Sequence, residues 1–113
     1  MKKTKIILLL ALTQGFAMQA QAAKGFPMGY GGNTCGEVAK VMQSGDAAQI
    51  GQVAGWILGY WSAISFQRDQ AFIDKLKEAG AENVVQVTLA QCEKADPNTP
   101  LVLVTHQTIQ GVN

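Results

Sequence analysis

The sequence predicts a small all-α domain: a single bundle of four to five short helices around one long apolar helix, clasped by one disulfide. Two observations support this prediction. Residues 47–67 lie between the charges of Asp46 and Arg68, contain no proline and include Tyr60 as their one ionisable side chain, a pattern typical of a helix buried on several sides. The chain also has two cysteines behind an N-terminus typical of exported proteins, a setting in which cysteines pair.

The N-terminus has the three parts of a cleaved signal peptide. Three lysines stand within the first five residues, an apolar run follows at 6–12, and an A-x-A cleavage site occupies 20–22. This order of basic, apolar and small residues is the one that directs export. We therefore predict a signal peptide at 1–22 and an exported chain, 23–113, that forms one small domain.

The exported chain is expected to begin with a flexible glycine-rich arm at 23–33, ahead of a helical domain at 34–113. Glycine-rich segments with little apolar content behave as flexible chain, and the ends of domains are commonly poorly ordered. The arm nevertheless contains Phe26, Met28 and Tyr30, which are candidates for contact with a partner.

Cleavage of the signal peptide changes the charge balance. The whole chain has nine Lys and Arg against eight Asp and Glu. The signal peptide holds three of the bases and none of the acids, so the exported chain carries about −2 at neutral pH. A mildly acidic chain without a basic stripe is not expected to bind nucleic acid. At strongly acid pH, protonation of the carboxylates would leave about +7 on the side chains.

The central helix is expected to begin at Asp46, whose carboxylate can cap it, with Gln49 placed to complete a capping box. Its residues then separate onto two faces. Small residues recur at every fourth position on one face: Gly51, Gly55, Gly59 and Ala63. Large apolar residues cluster on the other: Ile50, Val53, Ile57, Trp61 and Ile64, flanked by Trp56 and Tyr60. Because each glycine weakens a helix by roughly 1 kcal/mol relative to alanine, we expect another helix to pack closely on the small face.

A membrane span is the alternative interpretation of this helix, because small residues at every fourth position also mark the association faces of transmembrane helices. Its length of about 20 residues would suffice. Polar residues dilute it, however: Gln49, Gln52, Ser62 and Ser65. The continuous apolar part is shorter than a bilayer requires, so we predict no stable membrane span.

Cys35 and Cys92 are predicted to form the disulfide, across a sequence separation of 57. Closing such a loop contributes roughly 4 kcal/mol in the chain-entropy account. The alternatives are two free thiols or a metal site, but two cysteines with His106 as the single histidine are a poor zinc set. A membrane span between the cysteines would also place them on opposite sides, where they could not pair.

Shorter helices are expected on both sides of the central one. The sequence TCGE at 34–37 matches a capping box, which predicts a helix over 35–43. Amphipathic spacing predicts a second helix over 71–79 that Gly80 terminates. The valines of 81–94 would also suit a strand, but a helix puts Cys92 on the same inward face as its apolar neighbours, so we favour a helix there.

The last segment is ambiguous. Thr99 and Pro100 would serve as the N-cap and first residue of a helix, whereas the alternating, β-branched sequence that follows would suit a strand. No pairing strand is evident elsewhere, so we predict a helix over 99–110. Its His106 is expected to be a surface or partly packed residue rather than a pH sensor or a ligand.

No catalytic arrangement is evident in the sequence. It lacks a glycine-rich phosphate loop, a G-x-S-x-G turn and an H-E-x-x-H motif. Its carboxylates are scattered among positions expected to face solvent, with no sign of a buried acid pair. We therefore predict that the protein is not an enzyme and uses no cofactor and no metal.

These features together resemble the HdeA/HdeB family of periplasmic acid-stress proteins. The resemblance rests on the signal peptide, on Thr34-Cys35 opening a short helix, on the long apolar helix, and on Cys92 followed by a polar stretch and Asp96-Pro97. It extends over most of the exported chain, roughly 34–109. The resemblance implies a periplasmic location and a small all-α fold clasped by the Cys35–Cys92 disulfide.

The same resemblance implies a homodimer at neutral pH and a chaperone-like activity in acid. In the best-known members acid dissociates and loosens the dimer, and the apolar surface that is exposed binds unfolding periplasmic proteins. In this chain the expected client or dimer surface lies on the central helix: Trp56, Ile57, Tyr60, Trp61 and Ile64.

A periplasmic immunity protein that neutralises a secreted toxin is the main alternative. Such proteins are also small, helical, exported and disulfide-bonded, and they often have a W-x-x-G-Y-like helix, which Trp56 to Tyr60 match loosely. A structural subunit of an envelope assembly is a third possibility. No residue pattern in the sequence indicates a particular client or toxin.

Overall fold

The computed structural model describes residues 25–112, which form four α-helices preceded by a short 3-10 helix. The 3-10 helix spans Gly29–Gly32, and the α-helices are α1 (Cys35–Ser44), α2 (Ala47–Ser65), α3 (Gln70–Lys94) and α4 (Leu101–Gln110). The described residues form no strand, only one isolated bridge between Thr34 and Pro100. The predicted all-α class is therefore confirmed, while the predicted signal peptide at 1–22 lies outside the described residues.

The start of α1 has the capping box that the sequence predicts. The backbone N–H of Glu37 donates to Thr34 Oγ1 at 3.2 Å, and the backbone N–H of Thr34 donates to Glu37 Oε1 at 3.1 Å. Each side chain thus satisfies a backbone donor of the other residue. The helix ends at Gly45, whose φ of 73° lies in the left-handed region that glycine adopts without strain.

The central helix α2 is capped by Asp46 as predicted, but Gln49 does not complete a box. The Asp46 carboxylate accepts from the backbone N–H groups of Ala48 and Gln49. The backbone N–H of Asp46 donates instead to Ser44 Oγ at 3.1 Å, so it has no need of the Gln49 side chain. No helix of residues 25–112 has the length and apolar character that crossing a membrane requires.

Gly80 divides α3 into two helical halves. Its φ of 80° and ψ of 161° are not helical, and a positive φ of this size is readily available only to glycine. The predicted helices over 71–79 and 81–94 therefore both form, joined end to end at a break. Asp69 caps the first half, because its carboxylate accepts from Phe72 N at 3.0 Å.

The last segment is the helix that was predicted, although Thr99 is not its cap. Pro100 occupies the N-cap position and offers no side-chain cap. The first free donor of α4, the backbone N–H of Leu101, donates to the carbonyl oxygen of Asn33 at 2.8 Å. The end of the arm thus replaces the side-chain cap, a partner too distant in sequence to infer from local patterns.

The core lies where α2, both halves of α3 and α4 meet, and α1 closes one end of it. Its buried apolar residues are Cys35, Val38, Val53, Ile57, Trp61, Phe72, Val84, Cys92, Leu101, Val104 and Ile109. Two buried threonines lie among them, and the indole Nε1 of Trp61 donates to Thr88 Oγ1 at 3.0 Å. Among the described residues no buried side-chain polar atom lacks a hydrogen-bond partner, as expected of a well-formed interior.

The predicted disulfide between Cys35 and Cys92 is confirmed. It joins the start of α1 to the end of α3, and both cysteines are buried. Two hydrogen bonds run beside it: Cys35 N donates to Thr99 O at 2.8 Å, and Gly36 N donates to Pro97 O at 2.9 Å. The unpaired N–H groups at the start of α1 are therefore satisfied by the loop between α3 and α4.

Replacement of both cysteines by alanine should destabilise the protein by about 4 kcal/mol, because the unfolded chain regains the entropy of a long open loop. This is a large fraction of the stability of a typical domain. Urea unfolding of residues 23–113 with the native cysteines and with the Cys35→Ala/Cys92→Ala replacement measures the difference. Reduced wild-type protein is the matched control and should behave as the variant does. Identical unfolding midpoints for oxidised and reduced protein would contradict the prediction.

Candidate binding groove

An open groove of about 640 Å³ lies between the arm, α2 and α4. Residues 25–28 of the arm form one wall, Trp56 and Tyr60 of α2 form another, and Val102, Leu103 and His106 of α4 form the third. Gly59 also lines it, and within residues 25–112 the lining includes no Asp, Glu, Lys or Arg residue. Its volume lies within the range of ligand-binding sites in proteins.

The rim of the groove exposes large apolar side chains. Phe26 is 84% exposed, Met28 is 75% exposed and Leu103 is 47% exposed. All three belong to the groove lining, whereas the other exposed large apolar side chains of the described chain, Phe66 and Val87, do not line it. Single exposed apolar residues are common, but a group of them around one concavity indicates a binding surface.

Trp56 fixes the arm against α2. Its indole Nε1 donates to the carbonyl oxygen of Met28 at 2.7 Å, and its ring stacks on Tyr60 with centroids 5.4 Å apart. Gly31 is buried under the indole, where a Cβ atom would overlap the six-membered ring. The arm that the sequence predicts to be flexible thus contains a 3-10 helix, Gly29–Gly32, whose glycines permit close packing on the tryptophan.

Tyr60 and His106 link α2 to α4 at the inner end of the groove. The Tyr60 hydroxyl lies 2.8 Å from His106 Nδ1, and the rings meet edge to face. The other ring nitrogen of His106 lies 3.2 Å from Gln110 Nε2. Burial raises the pKa of the Tyr60 hydroxyl above its ordinary value of 10.0, so this hydroxyl keeps its proton at neutral pH. His106 is thus a partly packed residue, as the sequence predicts.

The structure separates the five residues predicted to form a client or dimer surface. Trp56, Tyr60 and Ile64 are partly exposed, and the first two line the groove. Ile57 is 0% exposed and Trp61 is 4% exposed, so both belong to the core of the folded domain, and only loosening of the domain would bring them to a surface. The helical repeat explains this, because residues four apart share a face and these two point to the core.

The groove also contains residues that the sequence did not single out as its walls. Val102 and Leu103 lie in the segment whose helical character was ambiguous, so no face could be assigned to them. Phe26 and Met28 are apolar residues in a glycine-rich arm, and this is the sequence signal that indicates an exposed apolar surface at the groove.

The glycine face of α2 points to solvent. Its four residues are all exposed: Gly51, Gly55, Gly59 and Ala63. A Cβ atom added to any of the three glycines would meet no atom within 4 Å. The predicted close packing of another helix is therefore wrong within the described domain, because α3 and α4 pack on the opposite face, where the large apolar side chains provide more buried area.

Comparison with known proteins identifies no relative: no family model, no curated protein and no solved structure matches the chain. The groove must therefore be interpreted from its own chemistry. Within residues 25–112 no three His, Cys, Asp or Glu side chains lie together as a metal site would need. An uncharged concavity with exposed apolar rims is suited to binding apolar groups of another molecule.

At a protein concentration at which the chain is monomeric, the Gly55→Ala variant should be about 0.5–1 kcal/mol more stable than the wild type, because alanine favours helix and the added methyl meets open space. Gly45→Ala is the matched control: it also meets open space, but its φ of 73° strains alanine, so stability should fall by about 1 kcal/mol. Thermal unfolding measures both. A Gly55→Ala variant destabilised at that concentration would contradict the open space at Gly55, whereas a loss of stability only at higher concentration would show that a second copy packs on this face.

Proposed function

We propose that this chain is a periplasmic chaperone-like protein that binds apolar segments of unfolding proteins and does so more strongly in acid. The observation that supports the proposal is the open groove, whose rim exposes Phe26, Met28 and Leu103. A further support is that the residues behind the resemblance to the HdeA/HdeB family have structural roles here: Thr34 caps α1, and Cys35 and Cys92 join the domain.

The chemistry of the groove matches unfolding polypeptide better than a charged small molecule. A charged group would lose its hydration in the groove without gaining a partner of opposite charge, which is unfavourable. Unfolding proteins expose the apolar side chains that their cores normally bury, and burial of such side chains is favourable by about 25 cal/mol per Å². The groove is also open to solvent along its rim, so a continuous chain can enter it.

Acid acts on this protein in two ways. Protonation of the carboxylates changes the side-chain charge of the exported chain from about −2 to about +7, and the resulting repulsion weakens compact states and interfaces. The disulfide resists acid and keeps α1 joined to α3. The expected outcome is a domain that loosens while its chain remains cross-linked.

Glu37 connects acid to the root of the arm. Hydrogen bonds from the backbone and the side chain of Thr34 lower the pKa of Glu37, as do Asn33 Nδ2 and the charge of Lys40 to a smaller degree. Its Oε2 accepts from Asn33 Nδ2 at 3.2 Å, and Asn33 joins the arm to α1. Protonation therefore weakens the acceptor that holds Asn33 and Thr34, where the arm leaves the domain.

The pH dependence of stability should be flatter in Glu37→Gln. A carboxyl whose folded pKa is lowered stabilises the fold above its unfolded pKa, about 4.3, and this stabilisation is lost as pH falls through the lowered value. The variant should thus be less stable than wild type at pH 7, with the difference shrinking at pH 3. Urea unfolding at both pH values measures it, and the exposed Glu82→Gln is the control. A difference of equal size at both pH values would contradict the assignment.

We further propose that the protein is a homodimer at neutral pH, with the glycine face of α2 as the contact surface. This face is small and uncharged along the whole helix, and Phe66 at its end is 89% exposed. A second chain could approach the glycines closely, which would explain why residues that weaken a helix occupy solvent-exposed positions.

The test of the proposed function is suppression of aggregation. Below about pH 4, where carboxylates are largely protonated, the exported protein should reduce light scattering by a client that aggregates in acid. It should also bind a dye specific for apolar surfaces. Light scattering should show a change from dimer to monomer over the same pH range. A protein that stays compact at pH 2 and leaves client aggregation unchanged would rule out the proposal.

Trp56→Ala should weaken client suppression about tenfold, as expected for an aromatic anchor in a groove, without unfolding the domain. Phe66→Ala, also an exposed aromatic on α2 but outside the groove, is the matched control and should retain suppression. Trp61→Ala should instead destabilise the fold by about 3–5 kcal/mol, because this ring is buried in the core. Equal suppression by the Trp56 and Phe66 variants would place client binding elsewhere.

An immunity protein that binds one secreted toxin is a second candidate. The observation that favours it is that hydrogen bonds already fix two groove residues: Trp56 to Met28 O and Tyr60 to His106. Fixed walls suit one defined partner, because less conformational freedom is lost on binding. Tight one-to-one binding of a secreted toxin at pH 7, without suppression of client aggregation at pH 3, would support this candidate over the chaperone.

A further inference from the structure

We propose that the arm, residues 25–33, is a resident pseudo-ligand, and that an extended apolar segment of a partner polypeptide takes its place on Trp56. The inference rests on the proposed function in that it concerns the same groove, and it specifies both the partner segment and the contact that keeps the groove closed. Three features of the arm support it: its main-chain hydrogen bond, the closeness of its backbone to the indole, and the exposure of its own side chains.

The hydrogen bond between the arm and α2 uses a main-chain acceptor. Trp56 Nε1 donates to Met28 O at 2.7 Å, and Met28 has the extended backbone of a strand, with φ −94° and ψ 147°. A main-chain carbonyl is supplied by every residue type, so this contact selects for an extended chain rather than for a particular side chain. Any extended segment laid across the indole can offer the same acceptor.

The arm holds this position with its backbone and with Tyr30, which packs against the core, and leaves the side chains of Phe26 and Met28 largely unused. Gly31 is buried beneath the indole, whereas Phe26 and Met28 are 84% and 75% exposed. Residues 25–28 of the arm therefore bury little of the apolar area of Phe26 and Met28. A partner segment that kept the main-chain hydrogen bond and turned its apolar side chains into the groove would bury more, at about 25 cal/mol per Å².

Release of the arm would leave its root in place. Its root is Asn33, whose carbonyl oxygen accepts from Leu101 N at 2.8 Å and whose position beside the disulfide is fixed. Outside that root, residues 25–28 line the groove and Gly29–Gly32 contacts both α2 and α4, with Tyr30 packed against the edge of the core, so release of the arm also ends the Tyr30 contact. Release of residues 25–32 thus exposes Trp56 and the groove floor while α4 keeps its cap.

The Gly31→Ala variant tests the proposal. Its Cβ would overlap the Trp56 ring, so the arm of this variant cannot dock. A fluorescein-labelled peptide of sequence GFPMGYGGN, identical to residues 25–33, should then bind the exported variant at least about tenfold more tightly than wild type. The apparent affinity rises because the fraction of binding-competent protein rises. The same peptide with alanine at the position of Gly31, GFPMGYAGN, should bind neither protein.

Matched variants make the result specific to the arm. Gly32→Ala adds the same methyl one residue later, where it meets only ordinary contacts with Pro27 at 3.7 Å, and should bind the peptide as weakly as wild type. Gly29→Val is the second displacing variant, because its φ of 69° disfavours a branched residue. It should also bind the peptide more tightly than wild type does. If circular dichroism shows that Gly31→Ala is unfolded, Gly29→Val provides the test.

Two outcomes overturn the inference. One is equal peptide affinity for wild type and both folded displacing variants. The other is a wild-type dimer held by exchanged arms, which would make a second copy the occupant; light scattering would then show that Gly31→Ala loses the dimer, because its arm cannot dock on either copy, while Gly32→Ala keeps it. Failure of the proposed function can be distinguished from failure of this inference. If Gly31→Ala gains peptide binding but leaves client aggregation unchanged at pH 3, the chaperone role is excluded and the inference stands.

Discussion

The junction around the Cys35–Cys92 disulfide is the constraint on which the rest of the structure depends. A domain of this size has a limited core, and here a covalent link is combined with main-chain hydrogen bonds from Cys35 to Thr99 and from Leu101 to Asn33. The disulfide and these hydrogen bonds together join the start of α1, the loop before α4 and the root of the arm. The groove depends on this junction because two of its walls, the arm and α4, start there.

Glycine determines the shape of the binding surface at two places with different physics. Gly31 is required for contact, since only a residue without a Cβ can lie beneath the Trp56 indole. Gly59, in contrast, makes no close contact within the domain that would require glycine. It borders the groove, and a Cβ atom at this position would meet open space. The first glycine lets the arm dock, and the second leaves room for whatever enters the groove.

Local signals in the sequence were sufficient for the helices and insufficient for the site. The capping residues Thr34 and Asp46 and the break at Gly80 act within a few positions of themselves, so their effects could be predicted. The face of α2 that packs in the core could not be predicted from local signals. Both the small-residue face and the large apolar face are suited to packing, and only the positions of the other helices decide between them. The contact of the arm with Trp56 could not be predicted, because glycine content indicates flexibility and the tryptophan lies far along the chain.

The break at Gly80 makes the two halves of α3 unequal in local stability. The half that ends at Lys94 contains Cys92 and is covalently tied to α1, whereas the half that starts at Gln70 is held by Phe72 and its stacking on Trp61. Helical hydrogen bonds do not cooperate across a residue with non-helical geometry. The first half of α3 is therefore a separate unit of partial unfolding, and its opening would expose the Trp61 side of the core while the cross-linked remainder stays folded.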